Sequence, residues 1–285
     1  MEKKSTEVLL GYDEATYHKR PELSKTQLDQ FLVSPLNYWY KSKREGAEPF
    51  AETSSMRIGS MVHKILLEGE EAFNEAYASP PKDGVKKPTS SQLNAKKPSD
   101  KTLQQIEDWD RYIASCEGKI NPDPVELSTA WKCVESVHLH PEAVKLLDAI
   151  TDSEVTVIYP AHHGVMMRSR LDGVTQRGIV DVKTTRDATA KGFKSSVYKY
   201  NYGLQEFVYS WAYYQAYGRM PEYFIFLCVE TSAPYHTALY TLPAGNANYW
   251  APIFEKALAE YSQCEKSGNW PGLNKDKLSE LPIVY

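Results

Sequence analysis

Asp172-Gly-Val-Thr-Gln-Arg-Gly-Ile-Val-Asp181-Val-Lys183 is the stretch from which the fold is read. A carboxylate is followed by a turn-like gap and then by Asp-x-Lys inside an apolar run. Side chains two apart on a strand share a face, so Asp181 and Lys183 point the same way. A hairpin whose turn centres near Thr175-Gln176 sets Arg170 opposite Asp181. Asp172, two residues beyond Arg170, then points to the same face, whereas a slip of one residue would turn it away. The hairpin so built brings two carboxylates and an ammonium to one point.

That arrangement asks for compensation, because an unpaired buried carboxylate is costly. Mg²⁺ is a hard, oxygen-seeking ion that one or two carboxylates can hold, and Mn²⁺ accepts the same ligands. Bound there, such an ion lowers the pKa of a water and polarises a phosphate. Lys183 can orient that water or steady charge building on the phosphate. Asp-x-Lys alone is common. It is Asp172, nine positions upstream, and the apolar strand around Asp181 that make the pattern specific. His63 in Gly59-Ser-Met-Val-His63, and Gln205 and Tyr209 one helical turn apart on a shared face, extend it. Taken singly, each of these three is ordinary helix chemistry. Glu154, at the start of the preceding strand, is either a further carboxylate for the site or an exposed strand end.

Around this centre the chain reads as one α/β domain over 1–285. Residues 1–20 are polar and expected to be loosely ordered. Ser24 is a candidate N-cap for the helix through Lys-Thr-Gln-Leu-Asp-Gln-Phe-Leu, which ends at Ser34-Pro35, and Pro35 opens a second short helix. Met56, Ile58, Met61, Val62, Ile65 and Leu66 keep a helical period from Ser54 to Leu67. Residues 79–101, with Lys82, Lys86, Lys87, Lys96 and Lys97, have loop chemistry and form a basic loop within the domain. Helices are expected at about 100–116 and 127–149. Three consecutive strands follow, Glu154–Tyr159, Val165–Leu171 and Gly178–Thr184. A helix over about 203–217, strands Tyr223–Glu230 and Thr237–Leu242, and a helix near 246–266 complete a mixed central sheet flanked by helices.

Composition narrows the function classes. The chain has 285 residues, 42% hydrophobic and 25% charged, enough for a sizeable core. A net charge of −4 argues against coating nucleic acid by charge alone, yet leaves room for a local basic groove beside concentrated carboxylates. The longest apolar runs, such as Tyr223–Val229, are too short to span a bilayer. No apolar stretch of signal length follows the N-terminus, so a cytoplasmic location without membrane association is expected. The four cysteines at 116, 133, 228 and 264 form no C-x-x-C pair, so reduced thiols and no iron–sulfur cluster are expected.

Together these elements resemble the PD-(D/E)-x-K nuclease superfamily, and within it the C-terminal nuclease of the RecE (exonuclease VIII) type found in prophages. The likeness runs from Leu23-Ser-Lys-Thr-Gln-Leu to Trp270-Pro-Gly. It is carried by Ser34-Pro35, Gly59-Ser60-x-x-His63-x-x-Leu66-x-Glu68, Arg170-x-Asp172, Asp181-Val-Lys183-Thr184-Thr185 and Gln205-x-x-x-Tyr209. The resemblance implies a Mg²⁺-dependent exonuclease that degrades one strand of duplex DNA from its 5′ end. It also implies a ring-shaped homo-oligomer, commonly a tetramer, and a single-strand annealing partner of the RecT type that receives the 3′ tail for recombination. By position it makes His63, Asp172, Asp181 and the Val182 carbonyl metal ligands, Lys183 catalytic, and Gln205 and Tyr209 shapers of the site. Two departures stand out. The phage-lambda-type exonucleases carry Glu-x-Lys where this chain has Asp181-Val-Lys183, and the RecB-like group needs clustered cysteines. The long N-terminal extension of some RecE proteins is also missing, so a stand-alone nuclease is expected.

Candidate phosphate contacts beyond the site are Arg168, Arg170, Lys191, Lys194 and Lys199, and the lysines of the 79–101 loop. Processive digestion needs only backbone contacts, so no base readout is expected. Two other readings remain open at this point. One is an endonuclease of the same fold acting on branched or single-stranded DNA. The other is a catalytically inactive DNA-end-binding module, against which the intact Asp172, Asp181 and Lys183 argue.

Overall fold

A computed structural model describes residues 5–47, 52–81 and 84–273. Lys82 of the basic loop falls outside them. The elements in chain order begin β1 (Glu7–Leu9), α1 (Glu14–Lys19), β2 (Leu23–Ser24), α2 (Lys25–Val33) and α3 (Pro35–Tyr38). There follow α4 (Ser54–His63), α5 (Gly69–Ala76), α6 (Ser90–Leu93), α7 (Asp100–Ser115), α8 (Pro124–His138) and α9 (Pro141–Asp148). The sheet region holds β3 (Ile150–Pro160), β4 (Met166–Thr175) and β5 (Gly178–Thr185). Then come α10 (Ala190–Lys199), α11 (Tyr202–Tyr217), β6 (Tyr223–Glu230), β7 (Thr237–Tyr240) and α12 (Asn246–Ser267).

One mixed sheet runs in the order β1-β3-β4-β5-β6-β7, with β2 beside β4. β5 pairs β6 in parallel and the β3–β4–β5 meander is antiparallel. The expected α/β fold with helices on a mixed sheet is what the chain adopts. One core, containing Leu28, Val157, Leu204, Phe226 and Leu258, lies under α2, α11 and α12. The other, with Met61, Val134, Val180, Val182 and Leu227, lies under α4 and α8.

The local reasons match the sequence in several places. Ser24 caps α2 in a full capping box, its hydroxyl accepting from Gln27 N–H while the Gln27 side chain accepts from Ser24 N–H. Gly218 ends α11 in the left-handed conformation a glycine adopts at no cost. Elsewhere the structure corrects the expectation. The single helix expected over 127–149 is two, because Pro141 cannot continue α8 and instead starts α9 with His140 as its cap. The 79–101 segment contains the short helix α6. Residues 7–20 are not loose: β1 pairs β3, α1 follows, and Tyr17 is buried.

α11, which carries two of the predicted site residues, is seated closely on α12. A Cβ on Gly203 would lie 2.4 Å from Trp250 Nε1, so only glycine permits this approach. Asn246 Nδ2 donates to Gly203 O at 2.9 Å and to Glu206 Oε2 at 2.6 Å. Burial pushes the Glu206 carboxyl up to about 7, against the smaller opposing pull of Asn246. The folded state thus favours the neutral acid, so this contribution is complete below the unfolded value and is lost as pH rises through about 7. Glu206→Gln is expected to stabilise the protein by about 1 kcal/mol near pH 8, after allowing for solvent screening, and to leave it unchanged near pH 4. Thermal melts at the two pH values check this, and equal shifts at both would contradict it.

Candidate active site

The β4–β5 hairpin turns later than the sequence suggests. The pairs are Gly173↔Val180 and Val174↔Ile179, so Gln176-Arg177 form the two-residue turn. Thr175 Oγ1 accepts from Gly178 N–H at 2.9 Å and from Arg177 N–H at 3.2 Å, which fixes Thr175 as the last residue of β4. Carried one pair further, this register sets Asp172 beside Asp181. Arg170 is therefore not opposite Asp181, and the expected pairing is corrected by two residues. The backbone ladder stops at this level, and Asp172 Oδ2 accepts the Val182 N–H at 2.9 Å instead.

On the other side of β4, Ser153↔Gly173 and Val155↔Leu171 flank Glu154 and Asp172. Glu154 adopts φ +53° there, a conformation non-glycine residues rarely take and which marks functional sites more often than plain strands. Glu154, Asp172 and Asp181 thus form a row across three strands.

His63 closes the row from α4. A Cβ on Gly59 would lie 3.2 Å from Thr184 Oγ1, so the glycine lets α4 press close onto β5. Thr53 caps the helix, and Arg57 ties it to α8 through Glu126 at 2.8 Å and 2.6 Å. At the other end His63 Nε2 donates to the Val182 carbonyl at 2.9 Å. Its Nδ1 lies 3.7 Å from Asp172 Oδ2 and 4.0 Å from Glu154 Oε1. One ligand atom each from His63, Glu154 and Asp172 fall within 4.8 Å of one another.

Asp181 and Lys183 stand next to this group. Asp181 is fully buried; its Oδ1 accepts from Gln205 Nε2 at 2.7 Å and its Oδ2 pairs with the Lys183 ammonium. That pairing is close yet poorly directed, so Oδ2 has no well-formed hydrogen bond. Tyr209, one turn after Gln205, packs with its ring 6.5 Å from Phe224.

The titration behaviour follows from crowding like charges in a buried place. Burial, and then the neighbouring Asp181, push the Asp172 carboxyl up to about 7 despite His63 and Lys183. Burial works against a charged His63, but Asp172 and Glu154 outweigh it and hold the imidazole up to about 9. Burial likewise opposes a charged Lys183, and Asp181 and Asp172 overcome it, so its ammonium stays protonated. Glu154 is also desolvated, yet His63 and Arg170 keep its carboxyl below the ordinary value. The row therefore generates a field that holds cations.

The two predicted arginines are placed differently from expectation. Arg168 is 3% exposed, and its Nη1 donates to the carbonyls of Arg20 and Glu22. It is not at the surface and so does not meet a phosphate there, contrary to the expectation from sequence. Arg170 pairs with Glu154 and donates from Nη1 to Tyr12 O at 2.8 Å. Both guanidiniums also sit over the Tyr17 ring, at 5.2 Å and 5.9 Å. The side chains from β4 thus hold the N-terminal segment in place. Lys191, Lys194 and Lys199 are exposed on α10, and Lys86, Lys87, Lys96 and Lys97 are exposed too.

The donor set fits a divalent cation. Carboxylate oxygens with one imidazole suit Mg²⁺ or Mn²⁺, and the under-satisfied Asp181 Oδ2 is a further oxygen beside them. Glu154 is the member of this group whose place the sequence leaves undecided. Only the β3–β4 register reveals it.

The sequence from 24 to 276 matches the family described as a "PDDEXK-like domain of unknown function (DUF3799)". A search of curated proteins finds no match. Among solved structures, a crystal structure from Eubacterium rectale described as a "Putative exonuclease" is similar over 96% of this chain and 94% of that one. The TM-score is 0.59 at 11% identity, a likeness of fold. With the match covering most of the sequence and the acid row and Asp-x-Lys strand in one place, the chain belongs to the PDDEXK-like DUF3799 family and has the PD-(D/E)-x-K nuclease fold.

Proposed function

We propose that this nuclease domain is a Mg²⁺-dependent exonuclease that degrades one strand of duplex DNA in the 5′-to-3′ direction and leaves 3′ single-stranded tails. The observation that supports it most is the row Glu154–Asp172–Asp181 with the Lys183 ammonium at its end. His63, Glu154 and Asp172, whose ligand atoms lie within 4.8 Å of one another, would hold the ion together with Asp181 from the adjoining strand. When bound, a divalent ion supplies Lewis acidity and an activated water.

The remaining steps belong to the chain. Lys183, kept protonated by its carboxylate neighbours, offsets the charge that grows on the phosphate as the new P–O bond forms. Gln205 fixes the orientation of Asp181 through its 2.7 Å hydrogen bond. The exposed lysines of α10 face solvent and can follow a phosphate backbone. Lys191→Ala with Lys194→Ala is expected to weaken DNA binding uniformly across sequences and to lower the salt slope by about 2. Binding isotherms over a range of salt concentrations check this, and an unchanged slope would remove these lysines from the contact surface.

The polarity, the ring-shaped homo-oligomer and the RecT-type annealing partner rest on the family resemblance alone. The deciding experiment is digestion of linear duplex labelled at either the 5′ or the 3′ end, in Mg²⁺, beside a closed circle. Early release of the 5′ label with the circle intact is the expected result. Early release of the 3′ label would reverse the polarity. A nicked circle would make the protein an endonuclease.

A further inference from the structure

Lys183 is gripped from two sides. One contact is the Asp181 carboxylate; the other is the face of Tyr202, whose ring centre lies 5.2 Å from the ammonium nitrogen. We propose that Tyr202 is a positioning residue for Lys183 and that the Lys25–Asp29 pair of α2 holds it there. The proposal rests on the nuclease reading, and the test below separates the two.

The ring itself is fixed on several sides. Its centroid lies 5.7 Å from Phe226 in a stacked arrangement, 5.8 Å from Phe193 and 5.6 Å from Tyr200. Tyr202 is the first residue of α11 and follows Asn201, which is left-handed at φ +50°. A non-glycine residue in that region needs outside support. Here it comes from α2. Asn201 Nδ2 donates to Asp29 Oδ1 at 3.1 Å, and Lys25 Nζ donates to Tyr200 O at 2.7 Å. Lys25 and Asp29 are themselves paired at 2.7 Å, with Lys25 8% exposed. The Asp29 side chain is 25% exposed, and an ion pair desolvated on one side serves better to fix a geometry than to add stability. The geometry fixed here is the α10–α11 junction that carries Tyr202.

The two contacts of Lys183 differ in kind. Asp181 is shared: its carboxylate serves the ammonium and also belongs to the acid row. Tyr202 offers a neutral π face, which attracts an ammonium strongly when desolvated but does not compete for a divalent ion. It therefore holds Lys183 without drawing on a carboxylate of the acid row.

Tyr202→Leu and Tyr202→Phe in the full chain test this with two readouts. The first is the NMR signal of the Lys183 ε-methylene group, assigned by its loss in Lys183→Arg. Ring current should shift it upfield in the wild type and in Tyr202→Phe, and the shift should vanish in Tyr202→Leu. The second is linear-duplex hydrolysis. Tyr202→Leu should lower kcat about tenfold with KM for DNA unchanged, while Tyr202→Phe retains the wild-type rate. If Tyr202→Leu does not fold, Tyr202→Met fills the space without a ring and carries the same expectations. A wild-type kcat in Tyr202→Leu, or an unshifted Lys183 signal in the wild type, would overturn the proposal. If the wild type fails to cleave at all, the nuclease reading fails, and the NMR arm still decides the contact.

Discussion

Asp181→Asn is expected to abolish phosphodiester cleavage, with kcat falling by roughly a thousandfold or more while the fold persists. The substitution keeps the shape of the side chain. Its amide oxygen can still accept from Gln205 Nε2, which lies 2.7 Å from Oδ1 in the wild type. What it removes is the negative charge that pairs with Lys183 and stands beside Asp172. Lys183 loses its charged partner but keeps the Tyr202 face, and the repulsion that adds to burial in raising the Asp172 carboxyl is relieved, so the stability loss should be smaller than for Lys183→Met. Steady-state hydrolysis of linear duplex, with a circular dichroism melt alongside, measures both. Substantial residual activity would remove Asp181 from the site.

Lys183→Met should likewise lower kcat by about 10²–10³-fold, because the charge growing on the phosphate loses its cation. Here stability suffers too. Asp181 is fully buried, and without the ammonium its charge keeps only the Gln205 hydrogen bond. Removing one partner of a buried pair costs about 3–5 kcal/mol. Adding Asp181→Asn to Lys183→Met removes the orphaned charge and should restore most of that loss, without restoring activity. Chemical denaturation of both single variants and the double variant gives the coupling energy. Additive losses would mean that the two side chains do not act as a pair.

Much of this site is legible in the residues themselves, for reasons of period. Two-residue alternation alone puts Asp181 and Lys183 on one face, and the one-turn spacing of Gln205 and Tyr209 puts both on α11. The Ser24 cap and the strand Tyr223–Glu230 are equally local and lie where expected. The register was not legible to the residue. The turn is set by the hydroxyl of Thr175 closing on Arg177 and Gly178, a contact no hydrophobic pattern records. The order of residues 7–20 was invisible for a different reason. That polar segment is held by Arg168 and Arg170, more than a hundred residues away in sequence. Glu154 escaped a firm role because its left-handed backbone depends on β3 pairing around it. The place of Arg168 is not legible because a strand arginine reads the same whether it faces solvent or donates to a buried carbonyl.

Hydrolysis of DNA by the Glu154–Asp172–Asp181 row and Lys183 is expected to depend on a divalent ion. This is tested most directly by the rate of linear-duplex hydrolysis by the wild-type protein in EDTA, followed by stepwise return of Mg²⁺. No cleavage in EDTA and full recovery on titration are the expected results. Cleavage that persists in EDTA, or none at any concentration of Mg²⁺ or Mn²⁺, would contradict this expectation.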